Sequence, residues 1–296
     1  MNKAVLLTDQ LRKSFAGKEV LRGLNLEIEP GTVLGLLGAN GSGKTTLIKC
    51  ALGLLRPTSG SASIFGEDSW DLSAASKAKL GYVPQEVTSY PWMRVRQVIA
   101  YTAAFYPRWN HAFVATLCDR WHVPLEDRVG ALSTGQLQTV GIVLALGHQP
   151  ELLVLDEPVA SLDPSARRQF LRTLMELLED QQQSILFSTH ITSDLERVAQ
   201  KVAILGAGKI RFYGELDELK DRVKRLRISA RNDLRASFAV PGALRCEVAG
   251  SHATVSVADF DERLVAQMRQ TWDADISVND LNLEEIFLEM HDGVAT

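Results

Sequence analysis

The sequence predicts an α/β fold: a largely parallel sheet covered by helices, with an antiparallel β subdomain, a helical subdomain over about residues 88–150, and a small C-terminal α/β domain. Three observations carry this. Apolar runs of strand length alternate with helical patterns from Val33 onward, and strands separated by helices pair in parallel. Alternating apolar segments from Val5 to about Ile28 end at the turn signal Pro30-Gly31, as antiparallel strands do. The buried run Val33 to Leu37 stops at a glycine-rich turn and opens into a helical pattern from Lys44 to about Leu54, a strand-loop-helix unit.

Farther along, the pattern is helical between Val95 and Leu125, at Pro164 to Asp180 and at Thr192 to Ala199, and strand-like at Leu152 to Leu155 and Ser184 to Ser188. Val202 to Tyr213 reads as a hairpin turning at Gly206-Ala207-Gly208. Charge density then rises through Leu219 to Arg227, which places a domain boundary near residues 220 and 221. Beyond it, strands are expected near Leu226 to Ser229, Leu244 to Val248 and Ala253 to Val257, and helices near Asp259 to Gln270 and Leu283 to Met290.

At 296 residues and 46% apolar composition the chain can bury a large domain plus a smaller one. The net charge of -4, with acids and bases interspersed, lacks the basic stripe of a nucleic-acid binder, so no nucleic-acid partner is expected. Cys50, Cys118 and Cys246 form no CxxC pair and read as reduced, buried thiols. The N-terminal segment has no signal-peptide core, and no apolar run reaches the roughly eighteen residues of a membrane span.

Gly38-Ala39-Asn40-Gly41-Ser42-Gly43-Lys44-Thr45 matches G-x-x-x-x-G-K-[ST], between strand and helix as that motif requires. Glycines let backbone N–H groups wrap a phosphate, and the helix N-terminus adds its positive dipole end. Lys44 is suited to the β- and γ-phosphates, and the Thr45 hydroxyl to Mg²⁺; Thr46 completes the candidate phosphate site. Gly206-Ala207-Gly208-Lys209 looks similar but leads into a second strand, Ile210 to Tyr213, and reads as a plain turn.

Leu152 to Leu155 is an apolar strand ending in Asp156-Glu157. Such strand ends converge with the phosphate loop at one edge of a parallel sheet. There Asp156 can hold the Mg²⁺ shell and Glu157 can polarise an attacking water as general base.

With these motifs in order, residues 1 to about 215 resemble the ABC ATPase family. Leu132-Ser133-Thr134-Gly135-Gln136 resembles its signature sequence, Gly81 to Gln85 its glutamine loop, Ser161-Leu162-Asp163 the loop after the catalytic acid, and Ser188-Thr189-His190 its switch histidine. The resemblance implies a P-loop NTPase fold with a RecA-like parallel sheet, and ATP hydrolysis with Mg²⁺. It implies that Ser133, Thr134, Gly135 and Gln136 grip ATP held by a second ATPase subunit, and that Asp163 shapes that subunit contact. Gln85 would touch Mg²⁺ or the lytic water, His190 the γ-phosphate, and Phe15, between Ser14 and Ala16, would stack on adenine. Phe15 is commonly tyrosine and Thr134 commonly glycine in the family. The implied setting is a motor subunit in the cytoplasm, on the inner face of the membrane through a separate integral permease. A nucleotide-driven switch in translation or DNA repair is the alternative; the second cassette or long coiled coil usual there is not seen.

Val98, Tyr101, Thr102 and Phe105 lie at helical spacing near Tyr90, Trp92, Tyr106 and Trp109. Most of this stripe is expected to face the core, with a few aromatics left for a short permease helix, where the family docks one. The cluster Lys220, Arg222, Lys224, Arg225 and Arg227 reads as a solvated helix face rather than a lipid-facing patch. Leu283 to Leu288 resembles the ending of ATPase subunits from bacterial type-2 exporters, and Phe105 to Trp109 is similar to its drug-export members.

Overall fold

The computed structural model describes residues 4–179, 183–234 and 238–292. Its first strands, β1 (Leu6–Phe15) and β2 (Lys18–Ile28), pair antiparallel. Leu6, Leu11, Leu21, Leu24 and Ile28 point inward, while the intervening positions are largely polar and exposed. Every residue of β3 (Val33–Leu37) is buried, as expected of a central strand covered on both faces. Helix α1 (Lys44–Ala51) turns Leu47 and Ile48 into the core, fully buried. At about 2 kcal/mol for each such side chain, they hold the start of α1 against the sheet.

The antiparallel layer is completed by β4 (Ser59–Ile64) and β5 (Glu67–Asp68), in the order β2-β1-β4-β5. After α2 (Ala74–Lys77), β6 (Leu80–Val83) enters the main sheet. The helical subdomain contains α3 (Val95–Ala103), α4 (His111–Arg120) and α5 (Thr134–Leu146). The chain continues through β7 (Leu152–Asp156), α6 (Pro164–Glu179), β8 (Ser184–Thr189), α7 (Thr192–Val198), β9 (Lys201–Gly206) and β10 (Lys209–Glu215). The six-stranded order is β10-β9-β3-β8-β7-β6, parallel from β9 to β6. Asp180, the last residue of the helix expected from Pro164, lies outside the described residues. The turn at Ala207 and Gly208 has positive φ at both positions (49° and 74°), a hairpin turn and not a phosphate loop.

The chain divides into two compact units, Met1–His190 with Arg197–Tyr213, and Ile191–Glu196 with Gly214–Thr296. The second unit holds α8 (Leu216–Arg222), β11 (Lys224–Ala230), β12 (Ala243–Ala249), β13 (His252–Val257), α9 (Glu262–Trp272), β14 (Ala274–Asp280) and α10 (Leu283–Asp292). Its antiparallel sheet runs β12-β13-β11-β14. One face, with Leu226, Ile228, Val255, Val257 and Ile276, is buried together with Val265 and Met268 of α9.

Three expectations change. Cys50 and Cys118 are buried, but Cys246 is exposed on the edge strand β12. Val98 is core at 2% exposure, whereas Tyr90, Trp92, Tyr101 and Phe105 are 40–68% exposed and touch edge to face or tilted. Helical spacing puts Val98, Tyr101, Thr102 and Phe105 on one stripe, but Tyr101 and Phe105 stay exposed, beside Tyr90 and Trp92 from the segment before α3. The basic cluster is not one helix face: α8 ends at Arg222 and a strand begins at Lys224. Lys220 pairs with Glu196, Arg222 with Asp259, Lys224 with Asp280, and Arg225 with Glu285 and Glu289. Four of its five positive charges are thereby matched by carboxylates.

Candidate nucleotide site

The loop after β3 meets α1 at Gly43, whose φ of 108° lies where only glycine sits without strain. No side chain caps the helix there, so the first-turn N–H groups face outward toward any phosphate. A cavity of about 330 Å³ opens at this point, lined by Asn40, Gly41, Gly43, Lys44, Thr45 and Thr46, and also by Val20, Gln85, Glu157 and His190. Five segments far apart in sequence thus converge on one space. Gly38, Ala39 and Ser42 belong to the same loop, where Ser42 N–H donates to the Ala39 carbonyl.

Lys44 is buried at 6% exposure; its Nζ donates to the Gly38 carbonyl at 2.7 Å and lies 3.1 Å from Glu157 Oε1. Glu157 is 5% exposed and adopts φ 51°, a left-handed conformation costly for a residue with a side chain. Its Oε2 lies 2.8 Å from His190 Nδ1. The carboxylate is therefore clamped between a lysine and an imidazole, a compensation that permits both its burial and its strained backbone.

Asp156 is fully buried at the end of β7. Ser188 Oγ donates to its Oδ1 at 2.8 Å, while Oδ2 has no hydrogen-bond partner. Burial raises its carboxyl above the usual range, opposed by hydrogen bonds from Ser188 and Thr45. An unpartnered buried carboxylate oxygen beside the Thr45 hydroxyl fits a hard divalent cation and its water shell. Burial, and then the charge of Asp156, pushes the neighbouring Tyr82 phenol up to about 12.

The sign of the Asp156 shift makes a prediction. A carboxyl raised by burial favours the folded state most below its unfolded value, and that contribution is lost as pH rises through the folded value. Asp156→Asn is therefore expected to melt at or above the wild-type temperature at neutral pH without nucleotide, and to lose most ATP turnover. Thermal melts across pH 4.5–7.5 beside phosphate release check this; a variant melting well below wild type at neutral pH would refute it.

Ser188 carries more than its motif suggests. Its hydroxyl binds Asp156, and its Oγ and carbonyl both accept the Glu157 N–H at 3.1 Å. Gln138, 2% exposed on α5, donates to the Pro84 carbonyl at 3.4 Å and steadies the chain beside exposed Gln85. Neither role, nor Val20 in the wall, is visible without the packed sheet.

The remaining predicted residues stand outside this cavity. Ser133 caps α5: its Oγ accepts from Gln136 N–H at 3.2 Å, and the Gln136 side chain accepts from Ser133 N–H at 2.9 Å. Thr134 is exposed on the first turn. A Cβ on Gly135 would come 2.9 Å from the Ser161 carbonyl, which ties the signature turn to the loop before Asp163. Asp163 Oδ1 accepts the Ser165 and Ala166 N–H groups, bonds that hold its carboxyl below the usual range and start α6 behind Pro164. Phe15 is 46% exposed at the end of β1, with Lys13 Nζ 4.9 Å from its ring centre.

A glycine loop on a helix N-terminus, a buried lysine, and a strand-end acid pair at the edge of a parallel sheet define a P-loop ATPase. A family model described as ABC transporter matches residues 21–160. ABC transporter ATP-binding protein YhaQ of Bacillus subtilis is 31% identical over 295 residues, 96% of this chain and 98% of that protein. Bacitracin transport ATP-binding protein BcrA of Bacillus licheniformis is 31% identical over 220 residues, 74% of this chain and 72% of that protein. A solved ATP-binding subunit of an ABC transporter superposes with a TM-score of 0.67 at 28% identity, covering 73% of this chain and 92% of that one. The chain belongs to the ABC transporter ATP-binding proteins, ATPases coupled to transport. No helix among the described residues is long and apolar enough to cross a membrane.

Proposed function

We propose that this chain hydrolyses MgATP as one half of a head-to-tail pair, and so powers a separate membrane permease in export. The observation that carries this is the division of the site. Phosphate loop, Gln85, Glu157 and His190 line one cavity, while the exposed signature turn at Ser133–Gln136 lies outside it. An ATP gripped by both sets needs two chains, so ATP itself supplies interface contacts that vanish on hydrolysis.

In this reading the loop N–H groups and Lys44 bind the phosphates, and Phe15 offers a ring face to adenine. Thr45, Asp156 and Gln85 would hold Mg²⁺, which would supply positive charge against that developing on the phosphate oxygens. Lys44 Nζ lies 3.1 Å from Glu157 Oε1. Its transfer to the phosphates leaves Glu157 free to take the proton of the attacking water, while His190 keeps the carboxylate in place. Ser133, Thr134, Gly135 and Gln136 close on the second subunit's ATP, and Asp163 fixes the loop that follows Glu157.

Coupling to transport is supported by the likeness to BcrA, a transport protein by name, and export by the likeness to Nod factor export ATP-binding protein I of Burkholderia pseudomallei, 33% identical over 214 residues. The exposed aromatic patch of Tyr90, Trp92, Tyr101 and Phe105 is suited to a short amphipathic permease helix, whose apolar face needs such rings. Sedimentation of the purified chain is expected to show a monomer without nucleotide and a dimer with ATP when hydrolysis is blocked. Ser133→Arg is expected to abolish the dimer while ATP still binds; a Ser133→Arg chain that still dimerises would remove the proposal. Trp92→Ala is expected to reduce co-purification of a multispanning membrane protein about tenfold with unchanged ATP affinity. Equal loss of both would show that the patch supports the fold.

A further inference from the structure

The second unit contains a cleft of about 410 Å³ that the ATP chemistry does not use. It follows from strand alternation. Odd positions of β11 point away from the apolar core, so Arg225 and Arg227 share a face with Thr254 and Ser256 of β13 and Arg245 and Glu247 of β12. The register sets two rows across three strands: Arg245, Ser256 and Arg225, then Glu247, Thr254 and Arg227. Glu289 of α10 also lines the cleft.

Part of this set is already satisfied. Arg225 donates to Glu285 at 2.9 Å and to Glu289 Oε1 at 2.8 Å, and Arg245 lies 2.7 Å from Glu247. What remains is unusual for one small space. The Arg227 guanidinium and the Thr254 and Ser256 hydroxyls have no protein partner among the described residues, although Ser256 is 2% exposed. Glu289, 5% exposed, keeps Oε2 buried with no donor. Buried polar groups are almost always satisfied, and groups left open around one cavity are complementary to something that enters it.

We propose that this cleft binds a small zwitterion with a carboxylate and a protonated amine, a free amino acid or short peptide. The Arg227 fork matches a carboxylate geometrically, with the two hydroxyls as further donors. The amine supplies the donor that Glu289 lacks, with Glu247 beside it. Charge favours a zwitterion over a polyanion: Arg225, Arg227 and Arg245 are balanced by Glu247, Glu285 and Glu289, so the cluster offers no net positive field. The volume lies within the range of small-molecule sites, about 300–1,000 Å³.

The test is thermal unfolding and calorimetry of the full chain with the twenty protein amino acids and a set of glycyl dipeptides as probes. At least one probe at about 10 mM is expected to raise Tm by a few degrees, as binding to the folded state alone requires. The same probe with its amine acetylated is expected to bind at least about tenfold more weakly. Arg227→Ala, an exposed position whose loss leaves the fold intact, is expected to abolish the shift. Glu289→Gln is expected to bind the free and acetylated probes alike. No shift with any probe, or an unchanged shift in Arg227→Ala, overturns the proposal.

Discussion

Glu157→Gln is expected to lower ATP turnover by about 10²-fold or more, because general-base catalysis contributes about that much, while ATP binding persists. The geometry supports the separation. Glutamine keeps the shape and can still meet His190 and Lys44, which lie 2.8 and 3.1 Å from the present carboxylate, but it cannot accept the proton of water. The variant should therefore accumulate with ATP bound, and with it any nucleotide-dependent dimer. Single-turnover phosphate release beside equilibrium ATP binding checks this. Turnover within about threefold of wild type would move the base elsewhere and leave Glu157 a structural partner of Lys44.

Lys44→Ala acts at the earlier step. Lys44 Nζ now holds the Gly38 carbonyl and Glu157 within one buried cluster. In the bound state, charge-assisted hydrogen bonds to phosphate are worth about 1.5–3 kcal/mol each, so ATP affinity should fall by about 10²-fold. Removing the lysine also takes from the buried Glu157 carboxylate its ammonium partner at 3.1 Å, and breaking a buried pair costs about 3–5 kcal/mol. A lower melting temperature should accompany the weaker binding. Lys44→Arg, which keeps the charge but not the shape, should restore more of the stability than of the affinity. Calorimetric titration with ATP and thermal melts of both variants separate the two effects. Unchanged ATP affinity in Lys44→Ala would exclude the phosphate role.

Immediately after His190, residues Ile191–Glu196 belong to the second unit. There Glu196 accepts the Leu283 N–H at 2.9 Å and pairs with Lys220 at 3.0 Å. Burial raises its carboxyl, but these partners outweigh burial and hold it below the usual range. Its stabilising contribution is therefore present above the ordinary carboxylate range and is lost as pH falls through its folded value. Leu283 opens α10, the helix that carries Glu285 and Glu289. The histidine is thus covalently continuous with the segment to which α10 is anchored.

How much was legible follows from the kind of signal each residue leaves. The phosphate loop and acid pair were readable because their chemistry depends on contiguous residues: a glycine run with Lys44, and an apolar strand ending in Asp156-Glu157. The strands Val33–Leu37, Leu152–Asp156 and Ser184–Thr189 were legible because buried parallel strands are unbroken apolar runs. By contrast β14 buries only Ala274 and Ile276 of its seven residues, too weak an alternation to mark a strand in advance. The stripe of Val98, Tyr101, Thr102 and Phe105 could be placed on one side of a helix, but periodicity does not say what covers it.

By itself, then, the sequence determined the fold class, the phosphate loop, the order of the motifs and the family they resemble, since these reside in local composition and spacing. Only the tertiary structure decided which distant groups meet. It set Lys44 and His190 on either side of Glu157, gave Ser188 to both acids, left the signature turn outside the cavity, and lined the second unit's cleft by strand register. The reason is physical: contacts between segments tens of residues apart depend on sheet order and register, and neither is written in the local pattern of any one segment.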